Sequence, residues 1–193
     1  MLLQLSFTSF DISGARFGEV TVAANQVLMQ FLEVTAYGLD GVAYAAETLV
    51  GQAIGARALA EARRAGAISM QWGFVGAGLL ALVFAGFGPA AIALMTTAPD
   101  VQAEARAYLP WLVAAPLIGV AAWIYDGIFI GALMTREMLR AMLIAVAVYV
   151  AALALLVPAF GNHGLWASLM ILNTARGITL WRAMPGLERR VAG

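Results

Sequence analysis

Five long apolar stretches dominate this sequence and limit what it can fold into. A helix needs about 20 predominantly apolar residues to cross the hydrocarbon core of a membrane. The stretches that meet this length are 20–54, 66–88, 107–133, 139–159 and 163–183. Residues 1–10 are also apolar, but they are too short to cross and lack the basic start and cleavage site of a signal peptide. We interpret them as the end of a sixth span whose beginning is missing.

The composition supports a membrane protein and excludes several other classes. Of the 193 residues, 63% are hydrophobic and 11% are charged, whereas soluble domains have about 25% charged residues. So few polar groups could not cover the surface of a soluble globule of this size. The alternation of a transmembrane β-barrel is absent. We therefore predict an all-α polytopic membrane protein, a single helical bundle over residues 1–193 that lies in the lipid bilayer and does not bind nucleic acid.

Motifs for catalysis or cofactor binding are absent from the sequence. It has no phosphate-binding P-loop, no HExxH and no GxSxG. It also has no cysteine, which excludes disulfides and thiol catalysis. We expect neither an enzyme nor a metal or organic cofactor.

The arginines indicate how the chain is oriented in the membrane. Alternate connections lie on opposite sides, and eight arginines fall on one side: Arg57, Arg63, Arg64, Arg136, Arg140, Arg182, Arg189 and Arg190. The other side has Arg16 and Arg106. Because basic residues concentrate in cytoplasmic loops, the first side, and with it the C-terminus, is predicted to be cytoplasmic. The connections 11–19, 86–104 and 158–164 are then outside. We expect Arg176, inside the last span near its end, to extend toward the cytoplasmic face.

Four acidic residues fall within the spans, namely Glu33, Asp40, Glu47 and Asp126. A charged group at bilayer depth costs about 2.5–3.5 kcal/mol on insertion scales, and such groups commonly mark an ion or substrate path. Glu33, Asp40 and Glu47 are seven residues apart, so each lies only about 20° from the previous one around a helix. With their neighbours they form one stripe: Gln26, Gln30, Glu33, Tyr37, Asp40, Tyr44, Glu47 and Gly51. The alternative is that Glu33 and Glu47 lie near the membrane interfaces and are solvated there.

Asp126 occurs in a span that contains Pro110, Pro116 and the pair Gly127 and Gly131. Prolines permit a bend that exposes polar groups at mid-depth, and the GxxxG spacing allows close helix contact. The alternative is that the Asp126 carboxylate pairs with a neighbouring helix and serves packing.

Buried carboxylates can perform the chemistry of antiport. Burial favours the protonated form of a carboxyl group, whereas the ionised form attracts Na⁺ or an organic cation, so proton and cation compete for one site. Tyr37, Tyr44 and Trp123 could bind a lipophilic cation through their ring faces. The alternative for these aromatic residues is packing or interface anchoring. Ser168 and Asn173 in the last span are expected to form hydrogen bonds between helices.

Several segments together resemble the multidrug and toxic compound extrusion (MATE) family, in particular its DinF-like branch. The segments are VAANQ at 22–26, LDGVAYAAETLVGQAIGA at 39–56, YDGIFIGALMTREM at 125–138 and GNHGLW at 161–166. The resemblance covers essentially the whole chain.

The resemblance implies a fold and a set of functional residues. MATE proteins have twelve helices in two six-helix lobes around a central cleft, and this sequence resembles the C-terminal lobe only. Asp126 falls in the helix-ten motif, whose acidic residue coordinates the cation in the NorM-like branch. Asp40 and Glu47 belong to the helix-eight signature of the DinF-like branch. The coupling carboxylate that this branch carries on its first helix is absent here.

The function implied is secondary efflux from a bacterial inner membrane, with H⁺ or Na⁺ exchanged for drugs or organic cations. The expected partners are the missing N-terminal lobe or a second copy of the chain. Two alternatives stay open: a non-transporting fragment or interaction subunit, and a small exporter completed by homodimerisation.

Overall fold

The computed structural model describes residues 2–192 and, within them, the side chains of residues 4–187. All secondary structure in this part of the chain is helical. The helices are α1 (Leu2–Gly14), α2 (Glu19–Gly55), α3 (Leu59–Met95), α4 (Pro99–Gly131), α5 (Thr135–Phe160) and α6 (Asn162–Ala192), with a short 3-10 helix at Ala15–Phe17. The predicted all-α fold class is confirmed.

Three of the described helices are long and apolar enough to cross a membrane. They are α3, α4 and α5, with 37, 33 and 26 residues and mean hydropathies of 2.1, 1.8 and 2.6 in their most apolar segments. α2 and α6 are similarly long, with 37 and 31 residues, but they carry carboxylate or arginine side chains among the apolar ones. That α2 and α6 also cross the membrane stays a prediction.

The connections between helices are shorter than predicted. Residues 56–58, 96–98 and 132–134 join α2 through α5, and Gly161 alone separates α5 from α6. Gly161 has a φ of 56°, a left-handed conformation that favours glycine. Because such short connections leave no room for a crossover, consecutive helices run antiparallel.

The predicted bounds of the connection between α3 and α4, 86–104, were wrong. α3 continues to Met95 with Pro89 inside it, and α4 begins at Pro99. The continuation of α3 follows from packing, since Ile92 is buried and Gly88 lies against the Leu109 side chain of α4. Pro99 is accommodated at the start of α4, where its missing N–H has no partner within a helix.

α4 lies at the centre of the bundle. It packs against α2, α3 and α6, and α5 packs against α6, while α1 makes smaller contacts with α2, α5 and α6. Buried side chains form two clusters along α4. One contains Leu112 together with Trp166 of α6, and the other contains Ile124 and Phe129 together with Val50 of α2. The two helices that carry the predicted acidic residues are therefore in direct contact.

The predicted close contact at Gly127 and Gly131 is present between α4 and α2. A Cβ atom at Gly127 would overlap the carbonyl oxygen of Ala43, and one at Gly131 would overlap that of Glu47. The two backbones therefore approach as closely as only glycine permits.

Side-chain amides join α2 to α6 near the start of both helices. Asn25 and Asn162 exchange two hydrogen bonds, of 2.8 and 2.9 Å, and the indole N–H of Trp166 donates to Asn25 Oδ1 at 3.0 Å. All three side chains are buried.

Among the residues that the structure describes, Ser168 and Asn173 do not form the expected hydrogen bonds between helices. Ser168 donates to the carbonyl oxygen of Gly164 and Asn173 to that of Leu169, both one turn earlier in α6. Short polar side chains in a helix commonly bond to the preceding turn in this way, so neither residue joins α6 to another helix.

Candidate functional site

Most residues of the polar stripe predicted on α2 are exposed, from Gln26 as far as Tyr44. Gln26, Gln30 and Glu33 are exposed, and Tyr37 and Tyr44 are 72% and 64% exposed. Large aromatic side chains that are exposed on a membrane helix mark a surface that contacts lipid or a further protein surface.

The residues of the stripe that approach α4 near the C-terminal end of α2 are less exposed. Asp40 and Glu47 are only partly exposed. Gly51 lies against Gly131, since a Cβ atom at Gly51 would be 3.2 Å from the Gly131 carbonyl oxygen. This end of the stripe therefore belongs to the contact between α2 and α4.

A cavity of about 380 Å³ opens between α1, α2 and α4 beside the N-terminal half of the stripe. Four apolar side chains form part of its wall. Its polar and aromatic lining comes from three helices: Gln4, Thr8 and Asp11 of α1, Gln26, Gln30 and Glu33 of α2, and Trp123 of α4. We call this space the outer cavity, because its α2 residues lie in the half of that helix that the predicted topology places toward the outside.

The outer cavity is suited to a cation. The carboxylates of Asp11 and Glu33 are close enough to repel one another, and none of the described residues that line the cavity is basic. Charges of one sign that line a cleft concentrate ions of the opposite sign there. Over the described part of the chain, no group of three His, Cys, Asp or Glu side chains is placed to hold a metal ion.

Asp126 lies apart from this cavity and forms an ion pair with Arg176 of α6. The Arg176 side chain is 4% exposed and the Asp126 side chain 28% exposed. The expectation that Arg176 extends to the cytoplasmic face was therefore wrong. The carboxylate of Asp126 keeps the guanidinium inside the bundle, because an ion pair in an apolar interior is far less costly than a lone charge.

The predicted site residues thus fall into three places. Glu33 and Trp123 line the outer cavity, Asp126 lies in the ion pair, and Tyr37 and Tyr44 lie on the exposed face of α2. Asp40 and Glu47 lie on the same face of α2, nearer to its contact with α4, and are partly exposed.

The prediction missed the contribution of α1 to the cavity. Gln4, Thr8 and Asp11 are spaced four and three residues apart, so they lie on one face of a helix. That spacing is visible in the sequence. It was overlooked because residues 1–10 were treated as the end of a span and Asp11 as part of a connection.

Comparison with known proteins agrees with the resemblance seen in the sequence. The MatE family model matches residues 1–156. The DNA damage-inducible protein F of Escherichia coli (strain K12) is 40% identical over 185 residues, which cover 94% of this chain. The matched region is 40% of that protein's length, so the chain spans less than half of this relative. On the family match over most of its length, this chain belongs to the MatE family, the multidrug and toxic compound extrusion family.

Proposed function

We propose that this chain forms one lobe of a secondary efflux transporter that exchanges H⁺ or Na⁺ for organic cations. The observation that carries the proposal is the outer cavity, where Asp11 and Glu33 converge with no basic residue in the described lining. Membership of the MatE family supports it. The cavity has the size of a small-molecule site, for which about 300–1,000 Å³ is usual.

The lining of the outer cavity accounts for binding of a lipophilic cation. Glu33 and Asp11 supply negative charge, and the amides of Gln26 and Gln30 supply hydrogen-bonding groups. Trp123 adds a ring face of the kind that attracts cations. Protons or Na⁺ that reach the same carboxylates would compete with the organic cation for the outer cavity.

We further propose that Asp126 is the position at which the coupling ion binds. Its carboxylate lies within a helix that is apolar enough to span the membrane, where charged groups commonly have a role in transport. Its side chain retains 28% exposure while Arg176 behind it is buried, so an ion could approach the carboxylate from the exposed side.

A second lobe would complete the transport cleft. The exposed face of α2 with Tyr37 and Tyr44, continued by Asp40 and Glu47, is the proposed wall of that cleft. The facing lobe would come from another polypeptide or from a second copy of this chain. The proposed location is a bacterial inner membrane with the C-terminus in the cytoplasm, which the arginine distribution supports.

Export of ethidium tests the proposed transport. The full chain is produced in bacteria that lack their own multidrug exporters, and retention of ethidium is measured with and without the proton and sodium gradients. We expect gradient-dependent export that is lost in Asp126→Asn. The control is Glu61→Gln, the same type of change at an exposed position in the first turn of α3, which should export normally.

Two results would contradict the proposal. Export that is unchanged in Asp126→Asn would exclude Asp126 as the coupling site. Absence of export by a chain that is folded in the membrane would exclude a second copy of this chain as the facing lobe and favour a non-transporting subunit.

A further inference from the structure

The ion pair between Asp126 and Arg176 has an unusual setting for a purely structural contact. Asp126 is on α4 and Arg176 is on α6, and the guanidinium is almost completely buried in the bundle. A buried ion pair often contributes less to stability than apolar residues of the same size. Its presence therefore requires an explanation beyond stability.

The pairing leaves Arg176 incompletely satisfied. One guanidinium nitrogen, Nη2, donates to one carboxylate oxygen, Oδ2. The Nε–H of Arg176 is buried and, among the described residues, has no hydrogen-bond partner. A guanidinium carries five N–H donors and can bind a carboxylate through two of them at once. The contact with Asp126 uses one of these donors.

Near the ion pair, α4 and α6 are also in contact through their backbones. Gly177, next to Arg176, lies against the backbone of Ala122, since a Cβ atom there would be 3.5 Å from the Ala122 nitrogen. On the other side of α4, Gly127 lies against Ala43 of α2. Backbone contact at Gly177 therefore joins α4 and α6 in addition to the ion pair.

We infer that Arg176 is an internal counter-ion that occupies Asp126 when no transported cation is bound there. This inference rests on the proposed role of Asp126 in coupling. In the empty protein the guanidinium neutralises the carboxylate, and an arriving Na⁺ or proton replaces it. Arg176 is thus a positioning residue that acts through Asp126.

The test compares how cations affect the stability of variants of the full chain, purified in detergent. The variants are Arg176→Gln, Asp126→Asn and the double variant Arg176→Gln with Asp126→Asn. Each is melted in sodium chloride and in N-methylglucamine chloride at equal ionic strength, and at mildly acidic and neutral pH. Arg176→Lys, which retains the positive charge, serves as the matched control.

We expect Arg176→Gln to gain thermal stability from Na⁺ or from acid, by a shift on the order of 2–4 °C, because the ion restores the missing positive partner. The double variant has no carboxylate to neutralise and should show no such shift. Arg176→Lys should respond as the unaltered chain does. An equal response of Arg176→Gln and the double variant would overturn the inference.

Two further outcomes are informative, one for this inference and one for the proposed efflux. If Arg176→Gln does not fold in neutral sodium-free buffer, then Na⁺ or acid must restore its fold, and failure to do so overturns the inference. Since no transport is measured, a chain that shows the expected shift but exports nothing would contradict only the proposed efflux.

Discussion

At the scale of single residues, polar side chains that are far apart in sequence form the specific links between helices. Asn25 and Asn162 pair through their amides, and Asp126 pairs with Arg176. The residue types suggested polar roles, but their partners lie 137 and 50 positions away. Periodicity within one helix indicates which face is polar and does not indicate which distant residue meets it, so the sequence left open whether Asp126 is paired.

The amide pair should contribute measurably to the stability of the bundle. Asn25→Ala removes both hydrogen bonds to Asn162 and the acceptor for Trp166, which leaves buried donors unpaired. We expect a loss of about 1–3 kcal/mol in the free energy of unfolding, measured by denaturation in mixed detergent micelles. Asn173→Ala is the control, since among the described residues that amide bonds to its own helix alone. An equal loss in both variants would contradict the role assigned to the amide pair.

At the scale of helices, the apolar stretches predict the elements well and their ends less well. The predicted span 20–54 corresponds to α2 at Glu19–Gly55, because a long apolar pattern defines a helix clearly. The error at Pro89 arose because proline usually ends helices, whereas packing of Ile92 and Gly88 against α4 continues α3 past it. That packing is a tertiary effect, and the local sequence does not reveal it.

The close contact of α2 with α4 leads to a prediction for its glycines. Gly127→Ala and Gly131→Ala each place a methyl group where a backbone oxygen of α2 lies. The helices must then move apart, and we expect a loss of about 1–3 kcal/mol, as is usual for overpacking. Thermal unfolding in detergent measures this loss of stability.

Gly86→Ala is the matched control for these glycines, since nothing lies within 4 Å of the added methyl group. Alanine is the better helix former, so this variant should be unchanged or more stable by up to about 1 kcal/mol. If Gly127→Ala were as stable as Gly86→Ala, the close contact would not exist in the protein.

At the scale of the whole molecule, the arginine distribution predicts how the bundle lies in the membrane. The connections 56–58 and 96–98 are at opposite ends of α3 and are predicted to be cytoplasmic and external, respectively. The chain contains no cysteine, so a single introduced cysteine reports its own position without further changes.

Labelling of introduced cysteines tests this topology. Ala56→Cys and Ala98→Cys are both alanine replacements at exposed positions of connections. In intact spheroplasts, a membrane-impermeant maleimide should label Ala98→Cys at once and Ala56→Cys only after permeabilisation. The reverse pattern would contradict the predicted orientation.

The outer cavity was only partly predictable at this scale. The stripe on α2 predicted Glu33 as a site residue and Trp123 was proposed from its residue type, but the cavity exists because α1 closes it with Gln4, Thr8 and Asp11. A concave site formed by three helices depends on how the helices pack, and the pattern along any one of them does not contain this information.

The most direct test of the central claim, that this lobe binds organic cations at carboxylates, is calorimetric titration of the purified full chain with tetraphenylphosphonium. We predict binding that weakens as Na⁺ is added or the pH is lowered, and that falls about tenfold or more in Glu33→Gln, which removes a charge from the outer cavity. Glu61→Gln, outside the cavity, should bind as the unaltered chain does. Equal binding by Glu33→Gln and Glu61→Gln, without competition from Na⁺ or protons, would contradict the claim.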